Sequence, residues 1–168
     1  KLVVFPTETV FGLGAIGNNE KAVSAIYEAK NRPLNNPLIA HFSSIEEVKK
    51  YVIFTDLANR LAANFWPGPL TMVLNINEKN RLSEILSRGK NTIAVRIPSH
   101  PVALDLISKC ETPILAPSAN KSGGVSPTSV EHVKQDFKKL HGPNWKISHI
   151  LDFNGCEVGI ESSVLDCR

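Results

Sequence analysis

Short apolar runs and segments with a three-to-four-residue apolar recurrence alternate along the whole chain. A short apolar run bounded by turn residues has the length of a buried strand, whereas the longer recurrence marks one face of a helix. Interleaving the two requires a sheet with helices packed on it, the α/β class. Leu2 to Phe5, Pro37 to Phe42, Leu70 to Ile76, Thr92 to Ile97 and Pro113 to Ala116 read as strands, and His149 to Phe153 and Ser162 to Leu165 as strands that close the sheet. Helices are expected over Lys21 to Lys30, with Ala22, Ala25, Ile26 and Ala29 on one face, and from Ile45 through Val48 and Val52. Three more are expected: Asp56 to Phe65, His100 to Lys109, and Ser129 to Phe137 with Ser129 as N-cap. Pro67-Gly68-Pro69 stops the Asp56 helix. Leu70 to Ile76 and Thr92 to Ile97 lie too close for a certain helical crossover, so a twisted mixed, partly parallel sheet is expected.

At 168 residues one domain is the default. Such a chain buries about two-thirds of its unfolded surface, enough for a core. Hydrophobic residues at 42% and charged residues at 21% fit a globular domain, and no apolar run reaches the roughly 20 residues of a membrane span. A net charge of +3 favours anionic ligands but falls short of the dense basic face of a nucleic-acid binder. Cys110, Cys156 and Cys167 form no CxxC pair, which argues against a zinc site or disulfide framework and for reduced thiols in the cytoplasm. Lys1 opens directly into a strand-like run, so a short N-terminal piece is expected to be missing.

Two local motifs mislead. Gly12-Leu13-Gly14-Ala15-Ile16-Gly17 matches GxGxxG, but Pro6 to Phe11 separates it from the preceding strand and Asn18-Asn19-Glu20 from the following helix. The dinucleotide fingerprint needs strand, loop and helix in immediate succession, so no NAD site is expected and the segment reads as a turn that lets backbones pack closely. Ser118-Ala119-Asn120-Lys121 matches SxxK without the companion KTG and SDN elements, so no serine hydrolase is expected.

Other segments carry more chemistry. Lys30 and Arg32 end a helix ahead of a loop stiffened by Pro33 and Pro37; they read either as caps or as a polyphosphate clamp. In Thr92 to Ile97, alternation puts Ile93, Val95 and Ile97 on one face and Thr92, Ala94 and Arg96 on the other. Arg96 is then either a snorkelling cation at a sheet edge or the wall of a cavity for a carboxylate or phosphate. No acid is assigned to it, so an apolar replacement is expected to leave the fold intact. His41 shares the face of Ile39, as a core histidine or a ligand contact. The loop from Ala116 through Ser118, Asn120 and Ser126 leaves a strand end, where α/β sheets hold ligands, and Pro6-Thr7-Glu8-Thr9 is a comparable loop. No nucleophile–base pair or metal-ligand cluster emerges, which suits phosphoryl chemistry run on positioning and electrostatics.

The segments PTETVFGLG, KNRPLNNPLIAH, FWPGPLT, TIAVRIP, APSANKSG and GIESSVLD follow one another over almost the whole chain. Together they resemble the YrdC-type threonylcarbamoyl-AMP synthase family. The resemblance implies one YrdC-like catalytic domain over residues 1–168 with a concave, positively charged cavity. It implies that Thr9, His41, Arg96, Ala116 and Ser162 serve the threonine or carbamate, and that Lys30, Arg32, Asn36, Thr92, Ser118, Asn120 and Ser126 serve ATP. Lys30, Arg32 and Arg96 would carry the chemistry, with Mg²⁺ arriving on ATP and no protein-bound metal. The implied reaction joins L-threonine, bicarbonate and ATP into an adenylate for tRNA modification beside the anticodon, passed to a threonylcarbamoyl transferase complex. Double-stranded RNA binding is a further expectation of that resemblance, and no membrane partner is expected. Ser163 stands where family members often have Thr, and the chain stops at Arg168 where longer members carry a further domain, so the short form or a fragment is expected. The rivals are the YrdC-like module of a hydrogenase-maturation carbamoyltransferase, which follows zinc fingers, and a non-catalytic RNA-binding module, which would need stacking aromatics.

Overall fold

The glycine-rich GLGAI segment is a strand rather than a turn. In the computed structural model, which describes residues 1–80, 86–87, 89–137, 147–153 and 155–168, β1 (Leu2–Phe5) pairs antiparallel with β2 (Gly12–Ile16). Leu13 and Ala15 enter the main core, and Gly12 and Gly14 turn the other way onto Phe5. A Cβ on Gly14 would stand 2.8 Å from both Phe5 and Ile114, so only glycine lets the strands and their side chains approach this closely. The close packing expected of these glycines is present; the turn is not.

The chain continues through α1 (Glu20–Lys30), β3 (Ile39–His41), α2 (Ile45–Lys49), α3 (Asp56–Phe65), β4 (Leu70–Asn75) and β5 (Thr92–Arg96). It ends with α4 (Pro101–Ser108), β6 (Ile114–Ala116), α5 (Val130–Phe137), β7 (Ile147–Ile150) and β8 (Ser163–Asp166). Side chains cap the helix starts: Asn19 accepts from the Ala22 N–H, Thr55 from that of Ala58 and, as the sequence predicted, Ser129 from that of His132. Two boundaries differ from expectation. The second helix stops at Lys49, and Val52 instead bridges Ile76 while staying buried. β7 begins at Ile147 rather than His149, because its partner β1 sets the register.

The described strands form one mixed sheet in the order β7-β1-β2-β6-β3-β5-β4-β8. β1/β7, β3/β5 and β4/β8 run parallel, and the other neighbours antiparallel. One face buries Leu13, Ala40, Met72, Leu74, Ile93 and Val95 against α1, α2, α3 and α5. The other packs Phe5, Ile114 and Ala116 against Ala103 and Ile107 of α4. Past α4 this second face carries Ile39, only half-buried, and the polar side chains of His41 and Arg96. Register aligns His41 with Arg96 on β5 and with Ile114 on β6, and aligns Ile39 with Ala94 and Ala116. Small residues therefore flank two large polar ones in mid-sheet, which leaves a hollow. Among the described residues, no helix is long and apolar enough to cross a membrane.

Candidate active site

The loop between β1 and β2 folds on its own hydroxyls. Thr7 Oγ1 donates to the Val10 carbonyl at 2.7 Å and accepts from the Thr9 and Val10 N–H groups. The Thr7 and Thr9 hydroxyls lie 2.9 Å apart, and Arg96 Nη2 donates to Thr9 Oγ1 at 3.0 Å. The same nitrogen donates to Glu8 Oε1 at 2.6 Å, in an ion pair whose side chains are each 4% exposed. Arg96 Nε donates to the Gly68 carbonyl at 3.3 Å. Of the five guanidinium N–H groups, the two on Nη1 have no partner among the described residues. Arg96 is therefore neither snorkelling nor unpaired. The expectation that it stands without an acid is corrected by Glu8, and the donors left without a partner among the described residues are those of one nitrogen.

Arg96 lines a cavity of about 50 Å³ together with Thr9, His41, Ala116, Ser118 and Ser162. All five residues expected on the threonine side converge there. Ser162 is held by Thr71, their hydroxyls 2.8 Å apart. His41 is buried, with its Nδ1 3.1 Å from the Ile39 carbonyl. Burial and then the Arg96 charge push its pKa down to about 3, and the carbonyls of Ile39 and Ile114 do not offset this. It is a neutral hydrogen-bonding wall at neutral pH. The expected positive charge of the cavity is not displayed by its lining: Arg96 is balanced by Glu8, His41 is neutral, and Glu161 adds a carboxylate.

This histidine makes a prediction. Its folded pKa lies below the unfolded value near 6.5, so an unfolded chain takes up a proton that the folded chain refuses. The associated stability is present above pH 6.5 and is lost at about 1.4 kcal/mol per pH unit as pH falls towards 3. His41→Gln should therefore show a shallower fall in unfolding free energy than the unaltered chain between pH 6.5 and 4. Denaturant titrations at several pH values would measure both slopes, and identical slopes would contradict a buried neutral ring.

Of the expected ATP residues, only Ser118 lines this cavity. Lys30 is 1% exposed at the end of α1, and its Nζ donates to the Ser118 carbonyl at 2.5 Å, to the Asn120 carbonyl, and to Asn120 Oδ1 at 3.4 Å. The sequence left Lys30 as either a cap or a phosphate clamp; the structure shows its ammonium committed to the loop after β6. Asn120 Nδ2 closes that loop onto the Lys121 and Gly124 carbonyls. Arg32 donates through Nε to the Asn36 carbonyl at 3.2 Å and through Nη2 to the Pro37 carbonyl at 2.9 Å, stiffening its own exposed loop. Ser126 donates to Glu161 at 2.5 Å, and Thr92 sits at the start of β5 opposite Asn75.

Sequence reasoning missed Glu8, Thr71 and Glu161. Glu8 had one available signal: it is the only acid before Glu20, set in an otherwise neutral loop. A larger recess of about 950 Å³ lies between α1 and the Leu34–Pro37 and Gly89–Asn91 turns. None of the expected residues lines it, whereas six of them line the smaller cavity.

Known proteins share this sequence pattern and fold. The Sua5/YciO/YrdC family, described as "Telomere recombination", matches residues 1–168. A threonylcarbamoyl-AMP synthase of Pyrococcus abyssi is 48% identical over 99% of this chain and 47% of its own length. One of Bacillus subtilis is 44% identical over 99% of this chain and 46% of its own length. The crystal structure of P. abyssi Sua5 complexed with L-threonine superposes with a TM-score of 0.88 at 48% identity, covering 99% of this chain and 47% of that one. The chain thus spans about half the length of the curated relatives it matches. With the matched span, the identity and the superposition all agreeing, this chain belongs to the Sua5/YciO/YrdC family.

Proposed function

We propose that this chain forms L-threonylcarbamoyladenylate from L-threonine, CO₂ or bicarbonate, and ATP, as a nucleotidyltransferase. The observation that carries the reading is the convergence of Thr9, His41, Arg96, Ala116 and Ser162 on one small cavity. The kinship with threonylcarbamoyl-AMP synthases and the likeness to a threonine-bound relative support it.

About 50 Å³ is far below the roughly 300–1,000 Å³ of a drug-sized ligand site, so the cavity takes the amino acid and the nucleotide lies at its mouth. The threonine carboxylate accepts from Arg96 Nη1, and the hydroxyls of Thr9 and Ser162 lie within the same small space. The neutral amine adds to CO₂, forming the C–N bond and releasing a proton. A carbamate oxygen then attacks the α-phosphorus of MgATP, and pyrophosphate leaves with the electrons of the broken P–O bond. No covalent enzyme intermediate is needed; positioning and charge carry the step. Arg32, Asn36 and Thr92 lie on the ATP side, and Ser118 and Ser126 border the opening. Lys30 and Asn120 act there by holding the loop that presents Ser118. Seating of the nucleotide over the cavity mouth would shelter the mixed anhydride from water. Its consumer is a threonylcarbamoyl transferase complex acting on tRNA, and contact with double-stranded RNA belongs to that same reading. The free cysteines Cys110, Cys156 and Cys167 suit a reducing cytoplasm.

The test is incubation with α-labelled ATP, Mg²⁺, bicarbonate and threonine, with separation of the adenylate. A threonine-dependent product is expected, together with saturable ATP binding and none for NAD. Arg32→Ala should raise the ATP KM roughly 10- to 100-fold, the loss of one charge-assisted hydrogen bond, with the threonine KM little changed. Equal changes in both constants would contradict a nucleotide role for Arg32.

A further inference from the structure

Burying two opposite charges rarely stabilises a fold more than an apolar pair of the same volume. The ion pairs Lys50–Glu47, Lys109–Asp105 and Arg168–Asp166 all lie at the surface. Glu8 and Arg96 are instead buried together at the wall of the candidate active site. Glu8 does not line the cavity; it stands behind Arg96. Its two oxygens are divided: Oε1 accepts from Arg96 Nη2 at 2.6 Å and Oε2 from the Ser99 N–H at 3.0 Å. Its backbone carbonyl accepts from the Val158 N–H at 2.8 Å. The carboxylate is therefore fixed from both sides before any ligand arrives.

Those fixed points decide what Arg96 can offer. Glu8 and Thr9 take both hydrogens of Nη2, and the Gly68 carbonyl takes that of Nε. Either two-nitrogen fork of the guanidinium uses Nη2. A ligand carboxylate consequently cannot engage a fork without displacing Glu8 or Thr9 from Nη2, and the hydrogens left to it are those of Nη1.

We propose that Glu8 is a positioning residue for the amino-acid substrate: by holding Arg96 Nη2, the nitrogen both forks share, it orients the guanidinium so that the Nη1 hydrogens point into the cavity towards a carboxylate or carbamate oxygen. The inference rests on the threonine reading of this cavity. Affinity for the amino acid then comes from aimed donors rather than from an unbalanced cation, because Glu8 has already balanced the charge. Without Glu8, Arg96 can swing into the hollow and fill the space the ligand needs. Glu8 touches no part of the nucleotide side, so the consequence is selective for the amino acid.

Threonine binding and ATP binding are measured separately by calorimetry on the unaltered chain, on Glu8→Gln and on Glu8→Asp, with thermal melts of each. Glu8→Gln keeps the shape but cannot accept from both Arg96 and Ser99 with charge. Glu8→Asp keeps the charge but is one methylene too short to hold both donors, and serves if the glutamine variant does not fold. Each folded variant is expected to weaken threonine at least tenfold while ATP stays within twofold. Unchanged threonine affinity in a folded variant would overturn the inference, as would equal weakening of both ligands, which marks a merely structural acid. Failure of the unaltered chain to bind threonine would overturn the reading of the cavity, and is seen before any substitution is made.

Discussion

Arg96→Met is expected to cost the fold about 3–5 kcal/mol, because it strands the Glu8 carboxylate in a dry site. For a chain of this length that corresponds to a fall in Tm of roughly 6–20 °C. The direction is opposite to what the sequence suggests, since an unpaired buried cation would be relieved by an apolar replacement. The double variant Arg96→Met/Glu8→Gln removes the stranded charge and should recover at least half of the loss. Both should lack threonine-dependent adenylate formation. Denaturant melts of the two single variants and the double one measure the coupling. An Arg96→Met chain as stable as the unaltered one would mean that the ion pair contributes nothing and that Glu8 finds another partner.

Lys30→Met is expected to abolish efficient ATP use and to lower stability together. Its Nζ is the donor for the buried carbonyls of Ser118 and Asn120, and an unpaired buried acceptor costs about 1–3 kcal/mol. The loop carrying Ser118 then loses its anchor, so the ATP KM should rise more than tenfold. A lysine acting only as a phosphate contact would lose ATP binding without loss of stability, and melts beside nucleotide titrations separate the two. Burial and then the neighbouring Arg32 lower the Lys30 pKa to about 8, while Glu161 and Asp136 favour the charged form. The three oxygens around Nζ act in the same direction as these acids. The clip is therefore fully charged only below that value, and ATP affinity should decline above pH 8 in the unaltered chain.

Both predictions turn on contacts between segments far apart in the chain, and that separates what was legible from what was not. The two faces of β5 were readable because strand side chains alternate with a period of two, a purely local rule. The same rule put His41 on the face of Ile39, and both line the cavity. The helix cap read at Ser129 is equally local, closed within three residues. GLGAI was misread because glycine carries no strand signal of its own. Its extended form comes from the neighbours that pair with it, Val3 to Phe5 on one side and Ile114 with Leu115 on the other.

The sequence by itself determined the class of the fold, most of its elements other than β2, and which side chains of β3 and β5 share a face, because those follow from periodicity and caps within a few residues of each position. The grouping of Thr9, His41, Arg96, Ala116 and Ser162 came instead from the resemblance to the YrdC-type family, carried by motifs spread over the whole chain. Only the tertiary structure decided their electrostatics. Arg96 and Glu8 are 88 residues apart, and Lys30 lies 88 and 90 residues from the carbonyls it holds. Which acid balances a buried cation, and which of its donors stay free, depends on strand order and register that bring β3, β5 and β6 together beside the β1–β2 loop. Local pattern specifies where a side chain points; the partner it meets there is set by the packing of distant segments.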